Sequence, residues 1–558
     1  EAIIKGNFDQ DSASTLANQI NSGSLPFALS AESYSTISPS LGAKSLDVMV
    51  QAGIIAFILV AILMIVRYRL PGTIAVISLM GQAAATLAVV SGYFTVFPGS
   101  TLTLPGIAGI ILGIGMGVDA NVITAERIKE ELSKNKTLEG AVNSGFKMGL
   151  TPIIDGNVTI VIVAAILMGA FGPTDGFWAK VFNPIFYWFG PSTAGTIYSF
   201  GFTLLTSVLL NFVFGVWATR VMIRGAVHFK PLRKAWLFGG KKEGGADFKT
   251  PSINFIGNRK KFYTFSCALI AVVLVFCGIF GVKMDVEFKG GSMITLAYEG
   301  DADLNDLKST IGTELGKSNL TLQTGSDISG NQTLTVTLPG SDTLTTEQLD
   351  NLLAALNEQY PDNKFVQNEV SNVDATIGKE FLLKSVVALV AACVLILLYV
   401  AYRFRKIGGL KAGSTAIVAL LHDMFVVFGV FVLLRIPLNG NFIAALLTIL
   451  GYSINDTVVI YDRIRENSAL YGKKQMSLAE LVNLSVNQSF ARSLMTSITT
   501  CLALGVVCVV SVIYRLDSIY SFAFPLLFGM VSGVYSTICI ATPLWVDWKN
   551  KKKAAKKA

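Results

Sequence analysis

Long apolar runs recur along this chain, separated by short polar stretches. Eleven of them fall at about 48–66, 72–93, 105–125, 150–171, 195–217, 263–283, 382–402, 412–434, 441–461, 494–513 and 520–543. An apolar run of roughly 18 or more residues matches the hydrocarbon thickness of a bilayer. The pattern therefore predicts a polytopic α-helical membrane protein. One long stretch, 284–378, departs from it and holds 15 Asp and Glu against four Lys. Its alternation predicts a strand through 285–298, a helix near 302–316, strands near 319–324 and 332–338, a helix near 345–358 and a strand near 364–370. The order β-α-β-β-α-β is that of a ferredoxin-like α+β domain.

The polar positions inside the spans repeat. Gly115-Met-Gly-Val-Asp119-Ala-Asn121 continues to Glu126-Arg127-Ile-Lys129-Glu130, and 336 residues later Gly451-Tyr-Ser-Ile-Asn455-Asp456-Thr457 continues to Asp462-Arg463-Ile-Arg465-Glu466. The same offset lays Arg67 and Arg69 over Arg403 and Arg405, and Gly72 over Gly408. The next span matches at an offset of 341, which pairs Asp155 with Thr496 and Thr159 with Thr500. With an outer segment, a membrane-entering span and four more spans, the two copies run the same way. They read as parallel pseudo-repeats related by an axis along the membrane normal. Gly109, Gly113 and Gly117 form a small-residue stripe expected to place the first motif helix at a central interface.

Composition supports the membrane reading. Hydrophobic residues make up 52% of 558, mean hydropathy is +0.57, and 15% are charged. The net charge of +8 invites a nucleic-acid partner, but 33 of the 45 Lys and Arg fall in loops assigned to the cytoplasm. That is the positive-inside bias that sets topology, so no nucleic-acid role is read. All six cysteines lie in predicted spans, which argues against a disulfide framework. With two histidines and no clustered ligands, no metal site is expected. No P-loop, nucleophile elbow or metalloprotease helix is present, so the chain is read as a non-enzyme without a cofactor. The first residue is Glu1, and the first copy lacks the initial span and outer domain of the second. The expectation is a natural protein with twelve spans and two outer domains.

The chemistry concentrates on a few residues. A carboxylate at the centre of a membrane helix costs about 2.5–3.5 kcal/mol, and Asp119 and Asp456 are two such groups in matching motifs. Each sits about 10 Å inside the cytoplasmic end of its span. One reading is a proton carrier toggled by protonation, the other a structural carboxylate hydrogen-bonded between helices. Asp119 aligns with Asn455, and Asp456 with Ala120, so the carboxylate has moved by one helical position, roughly 100° around the axis. Arg492, near the cytoplasmic head of its span, is readable as the carboxylates' counter-charge or as a positive-inside anchor. Thr151 occupies its place in the first copy. Asp155, Asn157 and Thr159 form a polar face, with Asn121 and Thr457 nearby on the motif helices. These residues line a hydrated path or hold helices together; Asp155 is assigned to the path and the hydroxyls to packing. His422-Asp423 reads as a structural polar pair.

The segments 115–130 and 451–467 resemble the signatures of the SecD and SecF proteins, here joined in one chain. Val286-Glu287-Phe288-Lys289-Gly290-Gly291 is similar to the start of the SecF outer domain, with Glu287 where aspartate is usual. Leu421-His422-Asp423 and Asn455-Asp456-Thr457 resemble SecF as well. The resemblance implies an RND-type fold in the bacterial cell membrane. It implies a proton-motive-force-driven accessory component of the Sec translocon that promotes polypeptide export. Its partners would be a SecYEG-like channel, a YidC-type insertase as a further candidate, the exported unfolded polypeptide, and protons. Carried over by position, Asp119, Asp456 and Arg492 match the family's proton-pathway residues. An RND-type exporter of lipids or small molecules is the alternative, and a non-transporting scaffold a third reading. On this basis 1–47 is expected to be the remnant of a SecD outer domain, 48–217 a SecD-like bundle of five spans and 218–262 a cytoplasmic linker. Residues 263–283 would be the first SecF-like span, 284–378 its outer domain, 379–545 its five-span bundle, and 546–558 a basic tail.

Overall fold

A computed structural model describes residues 33–37, 39–94, 100–189, 195–240, 251–300, 303–317, 320–326, 332–339 and 344–555. Residues 1–32, and with them most of the expected SecD remnant, lie outside the described residues, as do Gly244 and Gly245 of the linker and the last three residues of the tail. Among the described residues eleven helices are long and apolar enough to cross a membrane. In the first bundle these are built from α1 (Pro39–Tyr68), α2 (Leu70–Val90), α3 (Leu104–Gly117) with α4 (Asp119–Ser133), and α5 (Leu138–Phe171). A short outer helix, α6 (Phe177–Phe186), precedes α7 (Gly195–Asn211), which passes through a π-helical stretch into α8 (Thr219–His228). The second half begins with α9 (Arg259–Phe280) and an outer domain containing α10 (Val286–Lys289), α11 (Leu304–Glu314) and α12 (Thr346–Gln359). Its bundle is α13 (Ala375–Arg403), α14 (Gly409–Leu433), α15 (Gly440–Gln475), α16 (Leu478–Ile513), and α17 (Asp517–Ser536) passing through a second π-helical stretch into α18 (Thr542–Ala555).

Local signals set the ends of the motif helices. The Thr103 hydroxyl accepts the Gly106 N–H at 3.2 Å, and Pro105 fixes the first turn of α3. Asn439 does the same for α15, accepting from Phe442 N–H at 3.4 Å. A capping box between Ser477 and Glu480 starts α16. The motif helices occupy the centre: the apolar window of α3–α4 is 100% buried and that of α15 89%, against 11% for peripheral α9.

The two bundles cross at equivalent points. A Cβ on Gly115 would stand 2.9 Å from Thr500 Cα, and one on Gly451 3.4 Å from Ile160 Cα. Each motif helix thus lies against the fourth bundle span of the other half. The stripe Gly109, Gly113 and Gly117 does not form that interface. A Cβ there would meet Thr203, Ser207 and Leu79, all within the first bundle. The stripe seats α3 on α7 and α2, while its other face meets the second half.

The outer domain folds as β2 (Gly291–Tyr298), α11, β3 (Thr321–Ser326), β4 (Gln332–Pro339), α12 and β5 (Val366–Val373), with strands ordered β5-β2-β4-β3 and all pairs antiparallel. Ile294, Leu296, Val336 and Val370 of the sheet pack on Leu307, Ile311, Leu352 and Leu356 of the helices. A fifth strand, β1 (Ser33–Ile37), pairs with β5, so this piece of the first copy completes the second copy's sheet. The strand expected through 285–298 begins at Gly291 instead. Asp285 caps a single helical turn, α10, and Gly290 follows at φ +76°. A Cβ on Gly290 would lie 2.3 Å from Ala375 Cα, so only glycine lets the chain turn here against the start of α13.

Candidate functional site

The shifted carboxylates come together where the halves meet. Asp119 is the first residue of α4, just after Val118, a turn residue that keeps helical dihedrals (φ −84°, ψ −15°) and joins α3 to α4 in one continuous span. Asn455 donates from Nδ2 to Asp119 Oδ2 at 3.4 Å, and the two residues are separated by the repeat offset of 336. Equivalent positions of the two copies therefore face each other across the pseudo-two-fold axis. Asn455 fits because residue 156 is glycine: a Cβ there would stand 1.7 Å from Asn455 Oδ1. One position on, Asp456 turns toward α16, where the Ser497 hydroxyl donates to its Oδ2 at 3.5 Å. Asp119 and Asp456 are each 8% exposed. Asp119 Oδ1 and both polar atoms of the Asn121 amide are buried without a hydrogen-bond partner among the described residues. Buried polar atoms without a partner are costly, and most buried polar groups in folded proteins have one.

Arg492 lies on α16 five residues before Ser497, about 7.5 Å closer to the start of that helix, the end that the charge bias assigns to the cytoplasm. It is 7% exposed and interacts electrostatically with Asp456, Asp462, Arg127 and Arg463. No hydrogen bond or ion pair holds its guanidinium among the described residues. It lines a cavity of about 20 Å³ with Ile123, Glu126, Arg127, Glu130, Arg463 and Ser489. A second cavity of about 530 Å³ is lined by Met148, Thr151, Lys406, Asp462, Arg465 and Glu466. Under the repeat, Met148 matches Ser489, Thr151 matches Arg492, Asp462 matches Glu126 and Glu466 matches Glu130. These are two copies of one cavity. The half with threonine keeps it wide, and the half with arginine fills it.

Below Arg492 four charged residues close a ring. Arg127 donates to Glu130 at 3.0 Å and to Glu466 at 2.8 Å, while Arg463 donates to Glu466 at 2.9 Å and to Glu130 at 2.8 Å. Gln488 accepts from Arg463 Nε at 2.6 Å, and Lys134 reaches Glu130 at 3.2 Å. Sequence reasoning did not find this ring. Its signal was present, an Arg–Glu pair at i, i+3 in both motifs, but the pairing across halves is not visible in either motif alone.

Asp155 and Thr457 lie elsewhere. Arg403 Nε donates to both oxygens of Asp155 at 2.6 and 2.7 Å, and Tyr399 OH donates at 3.1 Å. The structure thus holds Asp155 in an ion pair tying α5 of one half to α13 of the other, not in the Asp119–Asp456 group. Thr457 bonds Thr537 at 2.7 Å on the far face of α15. Near it Asp423, fully buried, accepts from Ser453 (2.7 Å), Ser536 (2.7 Å) and Ser532 (2.5 Å), with His422 Nδ1 at 3.3 Å. This set holds α14, α15 and α17 together. Thr159 donates to Gly156 O and Gly451 O, a packing contact.

The outer domain touches the motif helix. Glu287 Oε2 accepts the Gly440 N–H at 2.6 Å at the start of α15, and Leu438 bonds Lys283 and Asp285 through the backbone at 3.0 Å each. Burial, reinforced by Asp285 and Glu369 and opposed by the Gly440 bond, pushes Glu287 up to about 7.

Comparison with known proteins points one way. A family profile described as "Protein export membrane protein SecD/SecF, C-terminal" matches residues 19–179 and 353–551. The protein translocase subunit SecDF of Bacillus subtilis is 32% identical over 564 residues, covering 98% of this chain and 70% of the relative. The protein translocase subunit SecF of Alicyclobacillus acidocaldarius is 36% identical over 312 residues, covering 55% of this chain and 96% of the relative. Among solved structures, SecDF of Thermus thermophilus, described as a translocon-associated membrane protein, superposes with a TM-score of 0.77 at 30% identity, covering 98% of this chain and 69% of that one. The hedgehog release protein Disp of the water bear Hypsibius dujardini shares the fold at a TM-score of 0.54 and 12% identity.

Proposed function

The chain belongs to the SecD/SecF family of protein-export membrane proteins as a SecD–SecF fusion, a multi-pass membrane protein with a Sec-associated role in export, and from that premise we propose that inward proton movement through Asp119, Asp456 and Arg492 drives it. The observation that carries this reading is the meeting of two buried membrane carboxylates at the junction of two halves, within electrostatic reach of the buried Arg492, whose guanidinium has no hydrogen bond or ion pair among the described residues.

The cycle follows from charge. With Asp456 ionised, Arg492 one and a half turns below is its counter-charge. A proton arriving from outside neutralises Asp456 and removes that attraction, so α16 and α15 are free to shift relative to each other. Release of the proton to the cytoplasm restores it. Asp119, within electrostatic reach of both Asp456 and Arg492, hands the proton on or holds it, while Asn455 positions its carboxylate. Motion of α15 reaches the outside because the acidic domain rests on the start of that helix, Glu287 on the Gly440 N–H and the backbone of Lys283 and Asp285 on Leu438 just before it. The polypeptide emerging from a SecYEG-like channel, with a YidC-type insertase nearby, is the load on which the domain acts.

The test is proton flux in proteoliposomes of the full chain, alongside gradient-dependent polypeptide export. Asp119→Asn and Asp456→Asn should each lower flux at least tenfold and remove the gradient's effect on export. Flux and export unchanged in both variants would overturn the proposal.

A further inference from the structure

We propose that the ring Arg127–Glu466–Arg463–Glu130 is the inner closure of this pathway, separating the small Arg492 cavity from the wide vestibule and opening by exchange of its two cross-half bonds. The inference rests on the proton-pathway reading for what passes, but not for where the barrier stands.

The ring's position supports it. Arg127 is eight residues past Asp119 and Arg463 seven past Asp456, which places both about 10–12 Å further toward the cytoplasm. On the antiparallel α16, Ser497 lies level with Asp456, Arg492 is deeper, and Gln488, which bonds Arg463, is deeper still. Glu466 lines the vestibule, whereas Arg127, Glu130 and Arg463 line the Arg492 cavity. The Arg127–Glu466 bond is therefore the partition between the two spaces. Opened, it joins Arg492 to a vestibule of about 530 Å³.

The ring's wiring explains why it can open. Removing one member of a buried ion pair leaves an uncompensated charge and is strongly unfavourable. Here each arginine already bonds a glutamate of its own helix, Arg127 to Glu130 and Arg463 to Glu466. When the halves separate at this level, only Arg127–Glu466 and Arg463–Glu130 break, and each helix keeps a paired Arg and Glu. Closed, the ring has four charge-assisted bonds; open, it has two, with no orphaned charge. Such an element has two discrete arrangements, as a switch requires. The symmetric wiring also couples it to the halves: α15, once released from α16 by the charge change on Asp456, moves relative to α4, and that movement stretches both cross bonds together.

The experiment uses the full chain with its six native cysteines replaced and Ser489→Cys introduced in the Arg492 cavity. A membrane-impermeant maleimide is applied from the cytoplasmic face, and proton flux is measured in parallel. With the ring intact, labelling should be slow; Glu130→Gln with Glu466→Gln should speed it at least tenfold and raise flux. Adding Asp456→Asn should abolish the extra flux while leaving labelling fast. If the double variant is not recovered as a monodisperse protein, Arg127→Lys with Arg463→Lys, which keeps the charges but loses the forked geometry, should also speed labelling. Labelling as slow as in the parent would overturn the closure. Fast labelling with flux at background in every variant would keep the closure and overturn the proton reading, so the two fail separately.

Discussion

The first motif span and the second are the same element written twice, and they are not built alike. The first passes at Val118 through a single turn residue that keeps right-handed helical dihedrals, so α3 and α4 run on as one span with Asp119 just past that step, whereas α15 has no such step from Gly440 through Asp456 to Gln475. The first half pairs Arg67 with its own Glu126 at 3.0 Å; the equivalent Arg403 crosses to Asp155 of the other half. The acceptors differ between the halves. Asp155 corresponds to Thr496, which carries no charge, and the longer Glu126 stands where the second half has Asp462, so Arg67 has its carboxylate within its own bundle. Likewise Thr151 leaves a cavity open that Arg492 fills in the second copy. The backbone retains near two-fold symmetry, seen in the Gly115 and Gly451 crossings and in the Arg–Glu ring, and a few side chains convert it into a directional arrangement. A symmetric scaffold supplies the place where the halves meet; asymmetric substitutions decide what happens there.

The outer ends of the motif helices give the largest contrast in pH response. α3 is capped by the Thr103 hydroxyl, which does not titrate, and α15 receives the Glu287 carboxylate. Raised from 4.5 to about 7, Glu287 binds its proton more tightly in the folded protein than in the unfolded chain. The stability from that proton is complete below pH 4.5 and is lost as pH rises through 7, up to about 3 kcal/mol at 1.36 kcal/mol per unit. Resistance of the full chain to thermal unfolding should therefore fall between about pH 4.5 and 7 and level off above, and Glu287→Gln should flatten the profile. An equally steep profile in that variant would assign the effect to other groups.

A smaller effect separates the two arginine pairs. Asp155→Asn leaves Arg403, 27% exposed at its side chain, facing an uncharged partner, and should cost about 2 kcal/mol after allowance for solvent. Arg67→Gln, removing a cation 35% exposed, should cost about 1 kcal/mol. Double-mutant cycles on Asp155 with Arg403 and on Arg67 with Glu126 read both. Equal coupling in the two cycles would mean that crossing between halves adds nothing.

Much of this was legible in the residues. Run length alone located the eleven spans, because a bilayer imposes one scale on every apolar segment, and alternation located the β-α-β-β-α-β order. The constant offset of 336 foretold that Asp119 and Asn455 would be equivalent, which is why they face each other. Other features depend on docking and have no local signature. The Asp155–Arg403 pair joins helices 248 positions apart, and the ring needs both motifs side by side. Strand β1 looks like the end of a separate unit until β5 offers it an edge. The start of β2 was misplaced because Val286-Glu287-Phe288 alternates like a strand, while the real constraint is the tight approach of Gly290 to Ala375.

In the proposed pathway the displaced carboxylate, and not merely a carboxylate in each motif, carries the proton. Asn455→Asp with Asp456→Ala restores the symmetric placement and keeps the number of carboxylates. Proton flux in proteoliposomes of that variant should stay no higher than in Asp456→Ala alone, since the new carboxylate faces Gly156 and Asp119 rather than Ser497 and Arg492. Flux returning to near the parent's level would contradict it.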